Sequence, residues 1–388
     1  MSSRHARTRS RRRAFTLTLA GTVALGAAVP AVVFVAGPAA SSEESAEEIA
    51  LRERDSARRA LDLVRRRAEE RGRRAEQVRE RVAEDVDLGL PAEGQAVVEV
   101  AGVGRLGAAG EPVAAPIASV AKIMTAYVVL RERPLGPEES GPAIVADAQA
   151  EAEREDLDQS TAPLVAGRSY TQRELLELMM LPSGNNAARL LARWDSGDER
   201  SFVRKMNAAA RDLGMPNTTY TGATGFDPTT VSTAEDQMRL ARAAMKVDAF
   251  RSVVAMRETH ATGHPIRNSN KLLGQDGVIG LKTGSSTPAG GNLVWATTAE
   301  VAGEERLVIG VVLQQRAGIG PVEGRQAATE VSRAMVRAVR SRLPAAWDTA
   351  VAAAGGPVAP GDLPGEEGGA EVFTPVRPHD LLDTLDRV

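Results

Sequence analysis

The sequence predicts an α+β domain built around an antiparallel sheet. Segments with the composition of strands occur near the beginning and near the end of residues 92–343, and segments typical of helices fill the interval between them. This distribution fits a sheet with helices packed on it. After Leu90-Pro91 the composition changes to mixed apolar segments interrupted by glycine and proline, and it stays so for about 250 residues, the length of one large globular domain.

The first forty residues have the pattern of an export signal or a membrane anchor. Six arginines lie within residues 1–13, and residues 14–40 carry no charged side chain. This uncharged run is long enough to cross a bilayer as a helix. We expect a retained transmembrane anchor, with residues 1–13 in the cytoplasm and all that follows residue 40 outside the membrane. Pro30 and the small residues before Ser41 leave a cleaved signal peptide, and hence a secreted protein, as the alternative.

Residues 43–88 are densely charged and contain no proline. Acidic residues precede arginines by four positions, as at Glu48/Arg52, which indicates a long helix. We expect a solvated helical stalk between the anchor and the domain, with a weak homodimer through a coiled coil as the alternative. The thin apolar seam that would support the dimer consists of Ala57, Leu61, Val64, Ala68, Ala75, Val78 and Val82.

Within the domain, the apolar periodicity and the glycine and proline positions predict the order of the elements. A strand over 96–100 precedes a glycine-rich piece over 102–110. Helices are expected over 118–130, 171–181, 207–213 and 235–245. Three strands over 278–283, 293–298 and 307–313 and a helix over 323–340 complete the domain. Residues 344–388 are rich in proline, glycine and alanine, and we expect a flexible tail.

Composition excludes several classes of function. The net charge is −3, and most basic residues lie in a run mixed with acidic ones, so no basic surface for nucleic acid is expected. The chain has no cysteine, which excludes disulfides, thiolate metal sites and a cysteine nucleophile. His260 and His264 are four residues apart, but Gly263 and Pro265 argue against one helix that presents both to a metal. We therefore expect no metal and no cofactor.

Lysine is scarce, since only five of the 48 basic residues are lysines. Lysine can lose its proton and act as a base, which arginine cannot do in a protein. Lys122 follows Ser119 by three residues at the start of a predicted helix, so the two side chains lie on one face. This spacing suits a serine nucleophile with a lysine base. The alternative is a serine that caps the helix and a solvated lysine.

Two further short motifs follow in the chain. Ser183 and Asn185 form an S-x-N motif after a predicted helix, and Lys282-Thr283-Gly284 lies on or just after a predicted strand. In the second motif, Gly284 lets a ligand approach the backbone closely, so we count it among the substrate-binding residues. Each motif alone is weak, and the first could be an ordinary turn in which Ser183 or Asn185 caps a helix. Together, in the order S-x-x-K, S-x-N and K-T-G, they form the motif set of penicillin-binding proteins and active-site-serine β-lactamases.

The surrounding residues narrow this similarity. The chain resembles the D-alanyl-D-alanine carboxypeptidase family, the low-molecular-mass penicillin-binding proteins, over about residues 95–342. The segments that carry the resemblance are 118–127, 180–188, 213–218, 268–273 and 280–284. It implies a β-lactamase/penicillin-binding-like fold, an antiparallel sheet flanked by helices with a helical subdomain. It also implies activity on peptidoglycan stem peptides that end in D-Ala-D-Ala, and covalent inhibition by β-lactams.

The resemblance also implies a role for each motif residue. Ser119 would be the nucleophile, Lys122 its base, and Ser183 a proton relay to the departing D-alanine. The remaining residues would bind the substrate: Asn185 its backbone amide, Lys282 and Thr283 its carboxylate, and Ser285 N–H with Ser119 N–H its oxyanion. The chain departs from the class A β-lactamases at Gly184, where these have aspartate. A D,D-transpeptidase with the same acyl-enzyme and a penicillin-binding sensor without turnover remain the alternatives.

Overall fold

The computed structural model describes residues 46–356 and residue 358. The chain divides into two units at Ala60/Leu61, and the second unit holds the domain. Of the first unit, the described residues contribute only the first turns of a helix. None of the helices in residues 46–356 is both long enough and apolar enough to span a membrane. The predicted anchor over residues 14–40 lies outside the described residues.

The elements follow one another in the predicted α+β order. The α-helices are α1 (Ala46–Asp85), α2 (Lys122–Glu132), α3 (Ala148–Ala152), α4 (Gln172–Met180), α5 (Asn185–Ser196), α6 (Glu199–Asp212), α7 (Ala234–Ala244), α8 (Asp248–Val254) and α9 (Pro321–Ala353). Two 3-10 turns lie at Ala118–Ala121 and Glu153–Glu155. The strands are β1 (Gln95–Val100), β2 (Gly104–Ala109), β3 (Ala115–Pro116), β4 (Ala143–Val145), β5 (Ser169–Thr171), β6 (Val231–Ser232), β7 (Glu258–Thr259), β8 (Ile266–Arg267), β9 (Gly280–Ser286), β10 (Gly290–Val301) and β11 (Glu304–Gln315).

The main sheet has five antiparallel strands in the order β2-β1-β11-β10-β9. Strands from the two ends of the domain therefore pair, β1 with β11, which confirms the predicted antiparallel α+β layout. The order leaves β9, which carries Lys282 and Thr283, at an edge. The free side of β9 faces the 3-10 turn that contains Ser119.

The sheet separates two apolar clusters because successive side chains of a strand point to opposite faces. Val97 and Val311 belong to the larger cluster, with the helices α2 and α4 to α8. Val98 and Val312 belong to the second cluster, with α9 and the end of α1. The S-x-x-K and S-x-N motifs lie on the side of the larger cluster, and the helices on the opposite face carry none of the three motifs.

Helix α9 continues through Pro344 to Ala353, so the predicted end of this helix and the predicted start of the tail are wrong. A proline inside a helix costs about 3 kcal/mol. Here Leu343, Trp347 and Ala350 continue the buried stripe of the helix at helical spacing. Burial of one large apolar side chain contributes about 1.5–3 kcal/mol, so these contacts outweigh the cost. The part of the predicted tail from residue 359 onward lies outside the described residues.

Helix α1 confirms the predicted long helix, but its last turns are not solvated. Ala75, Val78 and Val82 are completely buried in the second cluster. Just after the helix, Asp87 O accepts a hydrogen bond from Arg342 Nη1 of α9 at 2.6 Å. Three of the seven seam residues therefore pack on the chain's own domain and are not available to a partner. Within the seam, Leu61 and Val64 are exposed.

This packing predicts a stability effect at Val78. Truncation of Val78→Ala removes two methyl groups from a fully packed site and should lower the free energy of unfolding by about 2 kcal/mol. Val64→Ala on the same helix, where the side chain is 62% exposed, should change it by less than about 0.5 kcal/mol. Urea denaturation of the two variants measures both values. Equal midpoints would show that the end of α1 does not stabilise the domain.

Candidate active site

The Ser119 side chain lies on a 3-10 turn that leads directly into α2. Neither the turn nor α2 has a side-chain cap, so the interpretation of Ser119 as a capping residue is wrong. Ala118, just before it, has a φ of 46°, which a non-glycine residue rarely adopts. Such strain is typical of functional sites. The turn places Ser119 Oγ 2.9 Å from Lys122 Nζ.

Lys122 is fully buried and has three oxygen partners. Besides Ser119 Oγ, Nζ contacts Asn185 Oδ1 at 2.6 Å and the carbonyl oxygen of Thr224 at 3.1 Å. Burial lowers the pKa of the Lys122 ammonium well below its usual value, and the positive charges of Lys282 and Arg189 lower it further. The second alternative for this motif, a solvated lysine, is therefore also wrong. A buried amine with a low pKa next to a hydroxyl can accept the hydroxyl proton.

The second motif lies at the start of α5. Gly184 is the N-cap residue of this helix and gives it no side-chain cap. A Cβ at Gly184 would lie 2.7 Å from the Leu178 carbonyl oxygen, so the close packing here requires glycine. Ser183 has a φ of 70°, and its buried Oγ has no hydrogen-bond partner among the described residues. A buried hydroxyl without a partner is available to a substrate.

The third motif lies on the edge strand β9. Lys282 is buried, with Nζ 2.9 Å from the carbonyl oxygen of Thr283, and burial lowers the pKa of Lys282 to about 7. Thr283 Oγ1 lies 2.8 Å from Ser269 Oγ. Ser285, two residues after Thr283, is half-buried and pairs with Gly291 of β10.

Gly284 brings β9 close to the turn that contains Ser119. A Cβ at this residue would lie 2.9 Å from Ile117 O, 2.9 Å from Val120 N and 3.0 Å from Ser119 N. We expected Gly284 to make room for a ligand. In the structure, the backbone of the Ser119 turn occupies the space next to this glycine.

Only some of the predicted site residues are in direct contact with one another. Direct side-chain hydrogen bonds link Ser119, Lys122 and Asn185, and Gly284 contacts the same turn. No side-chain hydrogen bond among the described residues joins Ser119 to Ser183, Lys282, Thr283 or Ser285.

Four residues of the site were not predicted from the sequence as site residues. Thr224 contributes only its backbone oxygen, and Ser269 bonds Thr283 from a loop. Gln159 accepts from Asn185 Nδ2 at 2.7 Å and from Arg189 Nη1 at 3.0 Å. Of these, only Arg189 has a sequence signal: it follows Asn185 by four residues on one helix and therefore lies on the same face.

The comparisons with known proteins agree with this geometry. The family model described as D-alanyl-D-alanine carboxypeptidase matches residues 92–317. The chain is 35% identical to a D-alanyl-D-alanine carboxypeptidase of Streptomyces sp. (strain K15), over 50% of this chain and 71% of the relative. It is 36% identical to the D-alanyl-D-alanine carboxypeptidase DacB2 of Mycobacterium tuberculosis, over 56% and 73% of the two chains.

A solved structure is similar as well. The crystal structure of the Streptomyces K15 DD-transpeptidase matches with a TM-score of 0.54 and 30% identity, covering 64% of this chain and 99% of the other. The family match spans more than half of the chain and includes all three motifs. The predicted family is thus confirmed: the chain is a serine D,D-peptidase of the D-alanyl-D-alanine carboxypeptidase family.

Proposed function

We propose that the protein removes the terminal D-alanine from peptidoglycan pentapeptides through an acyl-enzyme on Ser119. The observation that carries this proposal is the contact of 2.9 Å between Ser119 Oγ and the buried Lys122 Nζ. A hydroxyl is a weak nucleophile until a base takes its proton, and burial keeps the lysine amine neutral enough to do so. The site therefore has the two groups that acyl transfer to serine needs.

In the first step, Ser119 Oγ attacks the carbonyl carbon of the bond between the two D-alanines. Its proton passes to Lys122 Nζ, and the carbonyl oxygen becomes an oxyanion bound by the N–H groups of Ser119 and Ser285. The C–N bond then breaks. Ser183 relays a proton to the leaving amine, and D-alanine departs. Asn185 binds the peptide amide of the substrate, and Lys282 and Thr283 hold the terminal carboxylate of the substrate.

In the second step, water attacks the ester carbonyl and the bond between the acyl carbon and Ser119 Oγ breaks. The tetrapeptide leaves with a free carboxyl group, and a proton of the water returns to Ser119 Oγ. If an amine attacks instead, the product is a new peptide bond and the enzyme acts as a transpeptidase. The names given to the K15 relative, a carboxypeptidase, and to the K15 structure, a DD-transpeptidase, include both outcomes. A β-lactam would acylate the same serine as a covalent inhibitor.

The proposal is tested with the purified protein and a pentapeptide that ends in D-Ala-D-Ala. Mass spectrometry should detect free D-alanine and the shortened tetrapeptide. Acylation by a fluorescent penicillin, followed by digestion, should place the label on the peptide that contains Ser119. A label on another peptide would refute Ser119 as the nucleophile. A protein that neither releases D-alanine nor takes up the label would refute the proposed enzyme activity. Glycine added as an acceptor separates transpeptidation from hydrolysis by the mass of the product.

The two lysines predict a bell-shaped dependence of kcat/KM on pH. Lys122 must be neutral, so the rate should fall as the pH drops through its lowered pKa. Lys282 must be charged to hold a carboxylate, so the rate should also fall as the pH rises above about 7. Lys282→Arg keeps its charge at all these pH values and should lose the alkaline limb. If the alkaline limb survives in this variant, a group other than Lys282 causes it.

We also propose that residues 14–40 anchor the protein to the membrane, with the domain outside. Support comes from the six arginines before an uncharged run of membrane-spanning length. We expect full-length protein in the membrane fraction, and its N-terminal sequence decides the question. A mature start near Ser41 would instead indicate a cleaved signal.

A further inference from the structure

We infer that Gln159 and Arg189 are positioning residues that orient the Asn185 amide and thereby direct the lone pair of Lys122 toward Ser119. The inference deepens the proposed function and rests on it. The two residues lie behind Asn185, on the side away from the nucleophile. Gln159 belongs to the loop between the Glu153–Glu155 turn and β5, and Arg189 lies one turn after Asn185 on α5.

The orientation of the Gln159 amide is fixed by its neighbours. Nε2 donates to the Asp156 carboxylate at 2.6 Å, and a carboxylate oxygen can only accept. Oε1 accepts from Arg189 Nη1 at 3.0 Å, and a guanidinium can only donate. A rotation of the amide by half a turn would place Nε2 against the arginine and Oε1 against the carboxylate. Both hydrogen bonds would then be lost, so Gln159 has one stable orientation.

The fixed Gln159 oxygen in turn fixes the Asn185 amide. Gln159 Oε1 lies 2.7 Å from the end of the Asn185 side chain, so this end must be the donor Nδ2. The acceptor Oδ1 therefore points the other way, to Lys122 Nζ at 2.6 Å. Arg189 thus determines, through two amides, which atom the catalytic lysine meets.

The consequence at Lys122 follows from counting hydrogens. A neutral amine has two hydrogens and one lone pair. Asn185 Oδ1 and the Thr224 carbonyl oxygen can only accept, so each takes one hydrogen. The lone pair is then left for the third partner, Ser119 Oγ, whose O–H must donate. This is the direction in which the proton moves when Ser119 attacks.

With the Asn185 amide reversed, the direction would be lost. Nδ2 would donate to the lysine lone pair, and one lysine hydrogen would point at Ser119 Oγ. The serine would then accept a hydrogen bond from its own base, and the amine could not receive the serine proton without first rearranging.

The supporting segment is held rigidly against α5. Asn185 N donates to Ser160 O at 2.8 Å. Asn186, the next residue, bonds both backbone groups of Ala162 at 2.8 Å. Gln159 therefore cannot withdraw from Asn185 without breaking several backbone contacts.

Charged side chains from several elements surround Lys122 and influence its protonation. Lys282 on β9 and Arg189 on α5 both act on Lys122. Arg189 itself lies 3.2 Å from Glu153 and 3.9 Å from Glu199. Asp156 lies beyond Gln159.

The test compares the acylation kinetics of full-length Gln159→Leu and wild type with a fluorescent penicillin. Leucine keeps the volume but cannot accept a hydrogen bond. The rate constant of acylation at saturation should fall about 10- to 100-fold, while the penicillin concentration for half-saturation stays unchanged. Gln159→Glu keeps an acceptor and should recover the rate at high pH. Its added negative charge should move the acid limb to higher pH.

Arg189→Gln tests the same chain of contacts from its other end. It replaces the first test if Gln159→Leu does not fold. Its matched control is Arg193→Gln. Arg193 lies one turn further on α5, is equally exposed at 17% and also lies near Glu153, but its other partner is Asp147. For Arg189→Gln we expect slower acylation and an acid limb of the pH profile that lies at higher pH. For Arg193→Gln we expect wild-type kinetics.

A double-mutant cycle separates orientation from general loosening of the site. In an Asn185→Ala background there is no amide to orient, so Gln159→Leu should have no further effect on the acylation rate. The same loss in both backgrounds would overturn the inference, as would an unimpaired Gln159→Leu in a protein that is acylated at Ser119. A wild-type protein that is never acylated would overturn the proposed function and this inference together.

Discussion

Substitution of Lys122→Met is expected to slow acylation by a penicillin, and release of D-alanine, by about a thousandfold or more. The side chain is completely buried and contacts the Ser119 hydroxyl. Methionine fills nearly the same volume without a nitrogen, so Ser119 keeps its place and loses its base. No other amine among the described residues lies within hydrogen-bond distance of Ser119 Oγ.

Thermal unfolding should show that the variant is folded, because an apolar side chain avoids the cost of burying a polar amine. Two unpartnered oxygens, on Asn185 and Thr224, would offset part of this gain. Lys246→Met is the matched control, because Lys246 is exposed between α7 and α8. It should label at the wild-type rate. A folded Lys122→Met that also labels at this rate would show that another group takes the proton.

Substitution of Gly284→Ala is expected to slow acylation by about 100-fold. The added Cβ would lie within 3.0 Å of three backbone atoms of the turn that holds Ser119. Backbone atoms cannot rotate away as side chains do, so β9 and the turn must move apart. The Ser119 hydroxyl would then shift relative to the Lys282 and Thr283 side chains, which we propose hold the carboxylate of the substrate.

Gly136→Ala provides the control for a glycine substitution as such. The nearest atom to its Cβ would be the flexible carboxylate of Glu139 at 3.6 Å, an ordinary contact. Stopped-flow measurement with a chromogenic β-lactam gives the rates of both variants. A fully active Gly284→Ala would mean that the glycine serves neither the turn nor the substrate.

The catalytic motifs could be predicted from the sequence because each is local. Ser119 and Lys122 are one turn apart, and Lys282, Thr283 and Gly284 are consecutive. Their order in the chain then indicated the family, and the family indicated the fold. Strands with a continuous apolar run, such as β10 and β11, were also predictable, although the structure extends each to 12 residues.

The rest depends on contacts between distant residues. The glycine-rich sequence of β2 has little tendency to form a strand, and it becomes one by pairing with β1. Pro344 normally ends a helix, and burial of Trp347 overrides it. Gln159 has no motif around it, and its role arises only where its loop meets α5. A single sequence contains no local signal for such contacts.

The burial of Val78, Val82 and Trp347 in one cluster joins two segments that are far apart in the chain. The end of α1 and the last turns of α9 share this cluster on the face of the sheet opposite the Ser119 turn. A truncation that removes either segment is therefore expected to expose apolar side chains of the other to water, even though it removes no residue of the site.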